Sequence, residues 1–156
     1  MTDTAAERAA TLALTNQYLA LFSQKDWDGF AALWAEDGVL EFPYAPPGRR
    51  SRYVGTAEIV AYMRGVSGRM QAGGLQYYDV HPMLDPAKVC IEMGLSGTIV
   101  ATGLPITQRY VSIVETNGGK IWRYREYWNP IASMDANGGR DAWTAAFGVP
   151  ETEARS

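Results

Sequence analysis

The sequence predicts an α+β fold, a cone-shaped α+β barrel in which three N-terminal helices pack on a strongly curved antiparallel sheet. Three observations support this prediction. The first third of the chain has helical periodicity, four runs after Gly73-Gly74 have strand character, and short turn signals separate those runs. Helices that are segregated from an antiparallel sheet pack on one of its faces. The open end of such a cone is a natural pocket, and 156 residues suit a single domain, expected to span 1–156.

The first two helices are predicted from apolar spacing and from a capping residue. Leu14, Tyr18 and Leu21 recur at helical spacing and form one apolar stripe. Asp26 can cap a second helix, because a carboxylate at this position accepts hydrogen bonds from the first free N–H groups. This second helix is predicted to end near Asp37-Gly38.

A short strand at 39–42 is followed by a loop at 43–54 that is rich in proline and arginine. The arginines Arg49, Arg50 and Arg52 suggest an anchor for a carboxylate, a phosphate or the surface of a carrier protein. The commoner outcome for such residues is a solvated loop, and a solvated loop is the expectation here.

The rest of the chain is expected to form a third helix, an antiparallel meander and a tail. The third helix begins near Thr56, and a weakly helical tail covers 131–149. Asn117-Gly118-Gly119 is the strongest of the turn signals, because asparagine and glycine tolerate the positive φ of a tight hairpin. The predicted strands are 75–84, 88–101, 105–116 and 120–129.

Composition excludes several classes of function. The net charge of −3 and the absence of a basic helical stripe exclude an electrostatic footprint for nucleic acid. Cys90 is the single cysteine, so neither an intrachain disulfide nor a cysteine metal cluster can form. His81 is the single histidine, so a zinc site would need an almost all-carboxylate ligand set. No glycine-rich stretch matches a phosphate-binding fingerprint. We therefore expect no metal and no cofactor.

The location is expected to be cytoplasmic, with no membrane partner. No apolar run approaches the roughly 20 residues that a membrane-spanning helix needs. The N-terminus differs from a signal peptide because Glu7 and Arg8 come early and Asn16 and Gln17 interrupt the apolar stretch that follows.

The last predicted strand carries the chemically most informative pattern. Its inward-facing set is expected to be the largely aromatic one, which alternates with two arginines and a tyrosine. Glu126 would then lie among rings, where desolvation disfavours the charged form of a carboxyl and raises its pKa. Such a group suits general acid–base catalysis. The alternative is that Glu126 pairs with an arginine or a tyrosine hydroxyl and holds the sheet. The inward set is Trp122, Tyr124, Glu126 and Trp128.

His81 stands beside Pro82 at the end of a strand pattern. It could share a proton with Glu126 or bind a ligand carbonyl, although a lone histidine is more often a hydrogen-bonded structural residue. The chain is also rich in tyrosines. A buried tyrosine hydroxyl needs a hydrogen-bond partner, and a ligand can be that partner.

Three segments resemble one superfamily. Tyr18–Pro43 resembles the opening of the nuclear transport factor two-like superfamily, which includes ketosteroid isomerases and SnoaL-like polyketide cyclases. Gly55–Ile59 resembles the start of that superfamily's third helix, and Arg125–Pro130 is similar to its last-strand motif. The resemblance is specific for the fold and weak for the reaction, because this fold hosts many chemistries. It also implies a homodimer that pairs through the outer face of the sheet.

At several positions the sequence differs from the catalytic residues of superfamily members, and these differences narrow the range of expected reactions. Phe42 stands where ketosteroid isomerases have their aspartate base, so steroid isomerisation by that route is not expected. Tyr18 matches the oxyanion-binding tyrosine of those enzymes. The Asp-Arg-Asp set of limonene-epoxide-hydrolase relatives has no counterpart that we can place. The run Arg125–Pro130 resembles the phenazine-biosynthesis A/B proteins and related SnoaL-like cyclases, in which the glutamate at the position of Glu126 is the acid–base group. In these relatives the glutamate is often paired with a histidine, which supports His81 as a second catalytic candidate.

The resemblance implies a cofactor-independent cyclase or isomerase of a small hydrophobic, polyketide-like natural-product intermediate. The alternatives are a non-catalytic binding or carrier protein with the same pocket and a structural dimer module with a filled cone. A free carboxyl facing a cavity would favour the enzyme, and a carboxylate locked to an arginine would favour the carrier. The catalytic candidates are Glu126, His81, Tyr44 and Tyr18. The substrate-binding candidates are Trp34, Phe42, Tyr53, Tyr62, Tyr110, Trp122, Tyr124 and Trp128.

Overall fold

The fold is a curved six-stranded sheet with helices packed against its inner face, as the computed structural model shows. The structure describes residues 4–148. Within them the elements follow in chain order: α1 (Thr4–Gln24), α2 (Trp27–Ala32), β1 (Trp34–Glu41), β2 (Arg52–Val54), α3 (Thr56–Arg69), β3 (Met70–Pro82), β4 (Lys88–Ile99), β5 (Pro105–Asn117), β6 (Lys120–Trp128), α4 (Pro130–Ala136) and α5 (Arg140–Phe147).

The strand order is β2-β1-β6-β5-β4-β3. All pairs are antiparallel except that of β1 with β6, which is parallel. Register shifts interrupt the pairings β1–β6, β3–β4 and β5–β6. Such bulges bend a strand and increase its twist, which accounts for the curvature. The α+β prediction is confirmed, with the qualification that the sheet stays open and has β2 and β3 at its edges.

The predicted end of the second helix is wrong. Helix α2 begins after Asp26, whose carboxylate accepts a hydrogen bond from the N–H of Gly29 at 3.0 Å, and it ends at Ala32. The chain then enters β1, where Trp34 pairs with Ile121 of β6. Pairing with a distant strand therefore overrides the local helical spacing, and Asp37-Gly38 lies within β1 rather than at a helix end.

The predicted start of the first long strand, at residue 75 after Gly73-Gly74, is also wrong. Strand β3 runs through both glycines, and the pairing with β4 shifts register between Ala72 and Gly74, where Gly74 has a φ of 141°. The predicted tail forms α4 and α5, which Gly138 and Gly139 separate. Val149, the last residue of the predicted tail, lies outside the described residues.

The hairpin predicted at Asn117-Gly118-Gly119 is confirmed. Asn117 pairs with Lys120, so the loop consists of the two glycines alone, whose φ values are 57° and 74°. Two successive positive φ values are the conformation of a type I′ turn, which matches the twist of the flanking strands.

The core fills the space between the helices and the inner face of the sheet. Tyr18 of α1 stacks on Tyr124 of β6, with 4.7 Å between ring centroids, and Phe30 of α2 lies 4.9 Å from Tyr18. Burial of a large aromatic side chain is worth roughly 1.5–3 kcal/mol, so this cluster anchors the two N-terminal helices. None of the described helices is long and apolar enough to cross a membrane.

A buried carboxylate organises the outer face of the sheet. Glu115 of β5 is 4% exposed, and its carboxylate lies 2.7 Å from Arg125, 3.2 Å from Lys88 and 3.8 Å from Arg123. Arg123 also reaches Glu41 of β1 at 2.8 Å. This ionic network ties together β4, β5, β6 and β1.

Replacement of Glu115 tests this network. Glu115→Gln is expected to lower the free energy of unfolding by about 1.5–3 kcal/mol, the usual contribution of a hydrogen bond to a charged group, because Arg125 loses its carboxylate partner while Arg123 keeps Glu41. Urea unfolding at neutral pH measures the loss. The control is Glu92→Gln, which removes an exposed carboxylate 2.9 Å from His81 and is expected to cost less than about 1 kcal/mol. Equal losses for the two variants would contradict a stabilising role for the network.

Candidate active site

Strand β6 directs three consecutive inward positions toward the interior of the fold. Tyr124 is fully buried in the core, and Glu126 and Trp128 line a cavity beyond it. Trp122 was predicted to share this face, but it is 39% exposed. The register of β6 shifts between Ile121 and Arg123, so Ile121 takes the buried position and Trp122 does not. A bulge of this kind breaks the simple alternation that the prediction assumed.

The cavity beside Glu126 has a volume of about 90 Å³. It is smaller than the roughly 300 Å³ or more of pockets that hold drug-sized ligands. Its walls combine apolar and aromatic side chains with a few polar groups. The lining residues are Arg49, Tyr62, Val66, Arg69, Met70, Ile99, Ile106, Gln108, Tyr110, Glu126, Trp128, Ser133, Asn137 and Phe147.

Glu126 has no hydrogen bond or ion pair to another side chain within residues 4–148. Burial raises the pKa of its carboxyl from 4.5 to about 7, and the nearby positive charge of Arg49 opposes that increase. A carboxyl with this pKa exists in both protonation states at neutral pH. It can therefore give or accept a proton without a large energetic penalty.

Arg49 is the buried cation of the site. Its side chain comes from the loop between β1 and β2, is 5% exposed, and donates a hydrogen bond to the hydroxyl of Tyr62. The guanidinium carbon lies 5.2–5.6 Å from the centroids of five aromatic rings, a range in which a cation is attracted to a ring face. The rings belong to Phe42, Tyr62, Trp128, Trp143 and Phe147.

The loop was expected to be solvated. This expectation is wrong for Arg49, which is buried, and is confirmed for Arg50 and Arg52, whose side chains are partly exposed. Arg50 pairs with Glu58 at 2.7 Å, and Arg52 lies 3.6 Å from Glu41, all with partly exposed side chains. Local sequence cannot distinguish the three arginines, because the rings that enclose Arg49 come from the residue after β1 and from α3, β6 and α5.

A surface depression of about 270 Å³ adjoins the cavity. The two share Arg49, Tyr62, Val66, Arg69 and Phe147 in their walls, and because of this position we call the depression the mouth of the cavity. Helix α5 covers one side of this mouth. The side chain of Arg69 lies 4.5 Å over the ring of Phe147 and donates a hydrogen bond to the carbonyl of Ala146.

Comparison with known proteins shows which family this fold belongs to. Residues 15–124 match the SnoaL-like domain family. The chain belongs to this family. The uncharacterized protein YesE of Bacillus subtilis is 37% identical to this SnoaL-like protein over 123 residues, which is 79% of this chain and 84% of the relative. An uncharacterized PhzA/B-like protein of Pseudomonas aeruginosa, PA3332, is 35% identical over 126 residues, which is 80% of this chain and 87% of the relative.

A solved structure supports the same placement. A Bacillus subtilis protein provisionally described as an isomerase matches this SnoaL-like protein with a TM-score of 0.79 at 34% identity, and the match covers 86% of this chain and 96% of that one. The superfamily resemblance expected from Tyr18–Pro43 is confirmed. The family match ends at residue 124 and does not reach Glu126.

The structure does not bring the other three catalytic candidates of this SnoaL-like protein to the cavity wall. His81 lies on the outer face of the sheet, where its Nε2 is 2.9 Å from the carboxylate of Glu92. It points outward because Val80 occupies the inward position beside it. Tyr44 is exposed, with its ring 5.1 Å from that of Tyr127. Tyr18 is buried in the core, stacked on Tyr124.

The predicted substrate-binding residues fall into three groups. Tyr62, Tyr110 and Trp128 line the cavity, and Tyr53 lines its mouth. Trp122 is exposed at the bulge described above. The remaining candidates, Trp34, Phe42 and Tyr124, are buried core residues that do not line the cavity.

Several residues of the cavity wall were not among the predicted site residues. Of these, Gln108 shows the clearest sequence signal. Gln108 alternates along β5 with Ile106 and Tyr110, and all three line the cavity. A polar residue in phase with apolar neighbours marks such a position. Phe147 gave no comparable signal, because the weak pattern of the tail did not indicate where α5 would pack.

The protonation of Glu126 predicts a pH-dependent cost to folding. Its pKa is raised from 4.5 to about 7 in the folded protein, so the folded state binds more protons than the unfolded state between these values. Stability from this group is therefore lost as pH rises through that window. Relative to Glu126→Gln, the wild type should lose about 2–3 kcal/mol of unfolding free energy between about pH 5 and about pH 8. Urea unfolding of both proteins across this range measures the difference, and a difference that is constant with pH would contradict the prediction.

Proposed function

We propose that this protein is a cofactor-independent cyclase or isomerase of a small hydrophobic, polyketide-like intermediate, with Glu126 as the general acid–base group. The observation that carries the proposal is the unpaired carboxyl of Glu126 at the wall of a cavity. Its pKa of about 7 suits repeated proton transfer near neutral pH, because the product of the correct protonation state and the driving force is then greatest.

Two tyrosines near Glu126 can bind a substrate oxygen. Tyr62 and Tyr110 line the same cavity, and burial raises the pKa of both hydroxyls above their ordinary value. Both hydroxyls therefore stay protonated at neutral pH and can donate hydrogen bonds. Donors that are already in place where negative charge develops stabilise an enolate more than its parent ketone. The positive charge of Arg49 acts in the same direction.

The proposed reaction begins with transfer of a proton from a carbon next to a carbonyl to the carboxylate of Glu126. The electron pair of the broken C–H bond moves into an enolate, whose oxygen accepts a hydrogen bond from a tyrosine. Where a C=C bond lies β,γ to the carbonyl, the electron pair spreads into a dienolate, and return of the proton from Glu126 to the γ-carbon completes an isomerisation. In a cyclisation, the enolate carbon instead attacks a second carbonyl, and protonated Glu126 gives its proton to the new alkoxide oxygen.

The walls of the cavity favour an apolar substrate. Ile99, Ile106, Val66 and Trp128 surround the polar groups and leave little room for water. Exclusion of water strengthens the hydrogen bonds to the enolate, and confinement holds the reacting carbons close together, which can remove several kcal/mol from the barrier.

The state of Glu126 favours an enzyme over a carrier protein. A carrier gains nothing from an unpaired carboxyl that is costly to bury, and a hydrogen-bonded amide or an apolar side chain would serve it better. The reaction class draws support from the Bacillus subtilis relative provisionally described as an isomerase and from the PhzA/B-like relative. The polyketide-like substrate rests on the resemblance of Arg125–Pro130 to SnoaL-like cyclases.

Proton exchange at carbon tests the proposal without knowledge of the natural substrate. The wild type is expected to speed incorporation of deuterium next to the carbonyl of 2-tetralone or cyclohexanone in D₂O, followed by proton NMR. Glu126→Gln should lower the enzymatic rate by about 10²–10⁴-fold, the usual contribution of a general base. The rate should rise with pH as Glu126 ionises around its pKa of about 7.

The control for this experiment is Glu92→Gln, which changes an exposed carboxyl on the outer face and should leave the rate unchanged. Circular dichroism confirms that both variants are folded. Equal rates for the wild type and a folded Glu126→Gln variant would remove Glu126 from the reaction.

We also propose that two copies pair through the outer face of the sheet, as the superfamily resemblance implies. Val111 and Tyr77 are apolar side chains exposed on this face. Val111→Asp places a charge there and is expected to shift a dimer to monomers in sedimentation experiments, while Ser23→Asp on the exposed surface of α1 should not. A wild type that sediments as a monomer at micromolar concentration would contradict the pairing.

A further inference from the structure

Arg49 carries a positive charge in the cavity wall and forms no ion pair with a carboxylate of residues 4–148. Within residues 4–148 the ion pairs include Arg50, Arg52, Arg123 and Arg125 but not Arg49. Its side chain is 5% exposed, and Nε has no hydrogen-bond partner. A buried cation is normally paired with an anion, because removing an unpaired charge from water is unfavourable.

The aromatic rings around Arg49 do not satisfy its N–H groups. Ring faces attract the charge, whereas the N–H groups of a guanidinium form a planar fork that suits two oxygen atoms of one carboxylate. Tyr62 accepts one hydrogen bond from Nη2, which leaves donors of the fork for another acceptor. A ligand bound in the cavity that Arg49 lines can supply such an acceptor.

Gln108 is a second buried polar group with an unused atom in the same cavity. Its side chain is 3% exposed, and Nε2 donates to the carbonyl of Asn129 at 2.8 Å. This bond fixes the amide, and Oε1 is left without a donor. An unpaired buried acceptor destabilises the folded protein, so a hydroxyl or N–H group of a ligand would supply the hydrogen bond that Oε1 lacks.

The charge of the site suits an anion. The charged residues that line the cavity are Arg49, Arg69 and Glu126, and those that line its mouth are Arg49 and Arg69. This local excess of positive charge contrasts with the net charge of −3 for the whole chain. A cationic mouth with low-dielectric walls draws anions toward it.

We infer that the ligand of this cavity is a small organic acid whose carboxylate binds Arg49 and which carries a hydroxyl or N–H donor for Gln108. The inference rests on the proposed function, for which it names the substrate class: a keto or enol acid rather than a neutral ketone. A carboxylate fits better than a phosphate, because the second charge of a phosphate would lie near Glu126 in a largely apolar cavity.

Binding of the acid would also set the protonation state of Glu126. The charge of Arg49 holds the pKa of Glu126 down, and a carboxylate that neutralises Arg49 removes this effect. The carboxyl of Glu126 then takes up a proton as the acid binds. A bound acid would thus raise the pKa of Glu126, which makes its carboxylate a stronger base but leaves a smaller fraction of it ionised near neutral pH, and the affinity for acids should fall as pH rises.

Matched pairs of acids and amides test the inference. The probes are benzoate against benzamide and butyrate against butyramide. Their binding is followed by fluorescence, since Trp128 and Trp143 lie 5.2 and 5.6 Å from the guanidinium carbon. The wild type should bind each acid roughly tenfold or more tightly than its amide, because hydrogen bonds to charged groups are the stronger ones. The affinity for the acids should fall above about pH 7, the pKa of Glu126.

Three variants separate the contributions. Arg49→Met should abolish the preference for acids. Arg50→Gln is the matched control, since it removes the next arginine of the loop, which pairs with Glu58 at 2.7 Å on the surface, and it should keep the preference. Glu126→Gln should keep the preference and lose its dependence on pH.

Equal or tighter binding of the amides by the wild type overturns the inference, and this comparison needs no variant to fold. Persistence of the preference in Arg49→Met overturns it as well. Failure here leaves the acid–base proposal standing if Glu126→Gln still abolishes deuterium exchange. Conversely, a preference for acids in a protein whose exchange rate does not depend on Glu126 identifies a carrier of organic acids.

Discussion

The register of β6 is the constraint on which both faces of the sheet depend. This strand lies between β1 and β5, and its pairing shifts at Trp122. Beyond the shift, Tyr124 enters the core and Glu126 enters the cavity, while Arg125 reaches the buried carboxylate of Glu115 on the other side. A slip of one residue would exchange the two sets and place arginines in the core. The core, the ionic network and the position of Glu126 in the cavity therefore share one structural cause.

The interior of the fold holds two ionisable groups that are close but not joined. Arg49 lies among five rings, and Glu126 is near enough that the charge of Arg49 lowers its pKa, yet no ion pair connects them. A direct contact would satisfy both groups and lower the pKa of Glu126 away from neutrality. Their separation leaves each group free for a ligand, at a cost in stability that is common at functional sites.

The cavity is assembled from segments that are far apart in the chain. Arg49 comes from the loop before β2, Tyr62 from α3, Gln108 from β5, Glu126 from β6 and Phe147 from α5. The cavity is small, and α5 covers one side of its mouth, where Arg69 contacts the ring of Phe147 and the carbonyl of Ala146.

The sequence by itself determined the α+β class, the order of the main elements and the inward position of Glu126, because these depend on local periodicity and turn chemistry. Only the tertiary structure decided the early end of α2, the exposure of Trp122 and the outward position of His81, since these follow from pairing between distant strands. It also decided that Arg49 is buried while Arg50 and Arg52 are not. The three arginines do not differ in their local sequence pattern. Which of them is buried depends on aromatic rings from distant segments, such as Trp128 and Phe147.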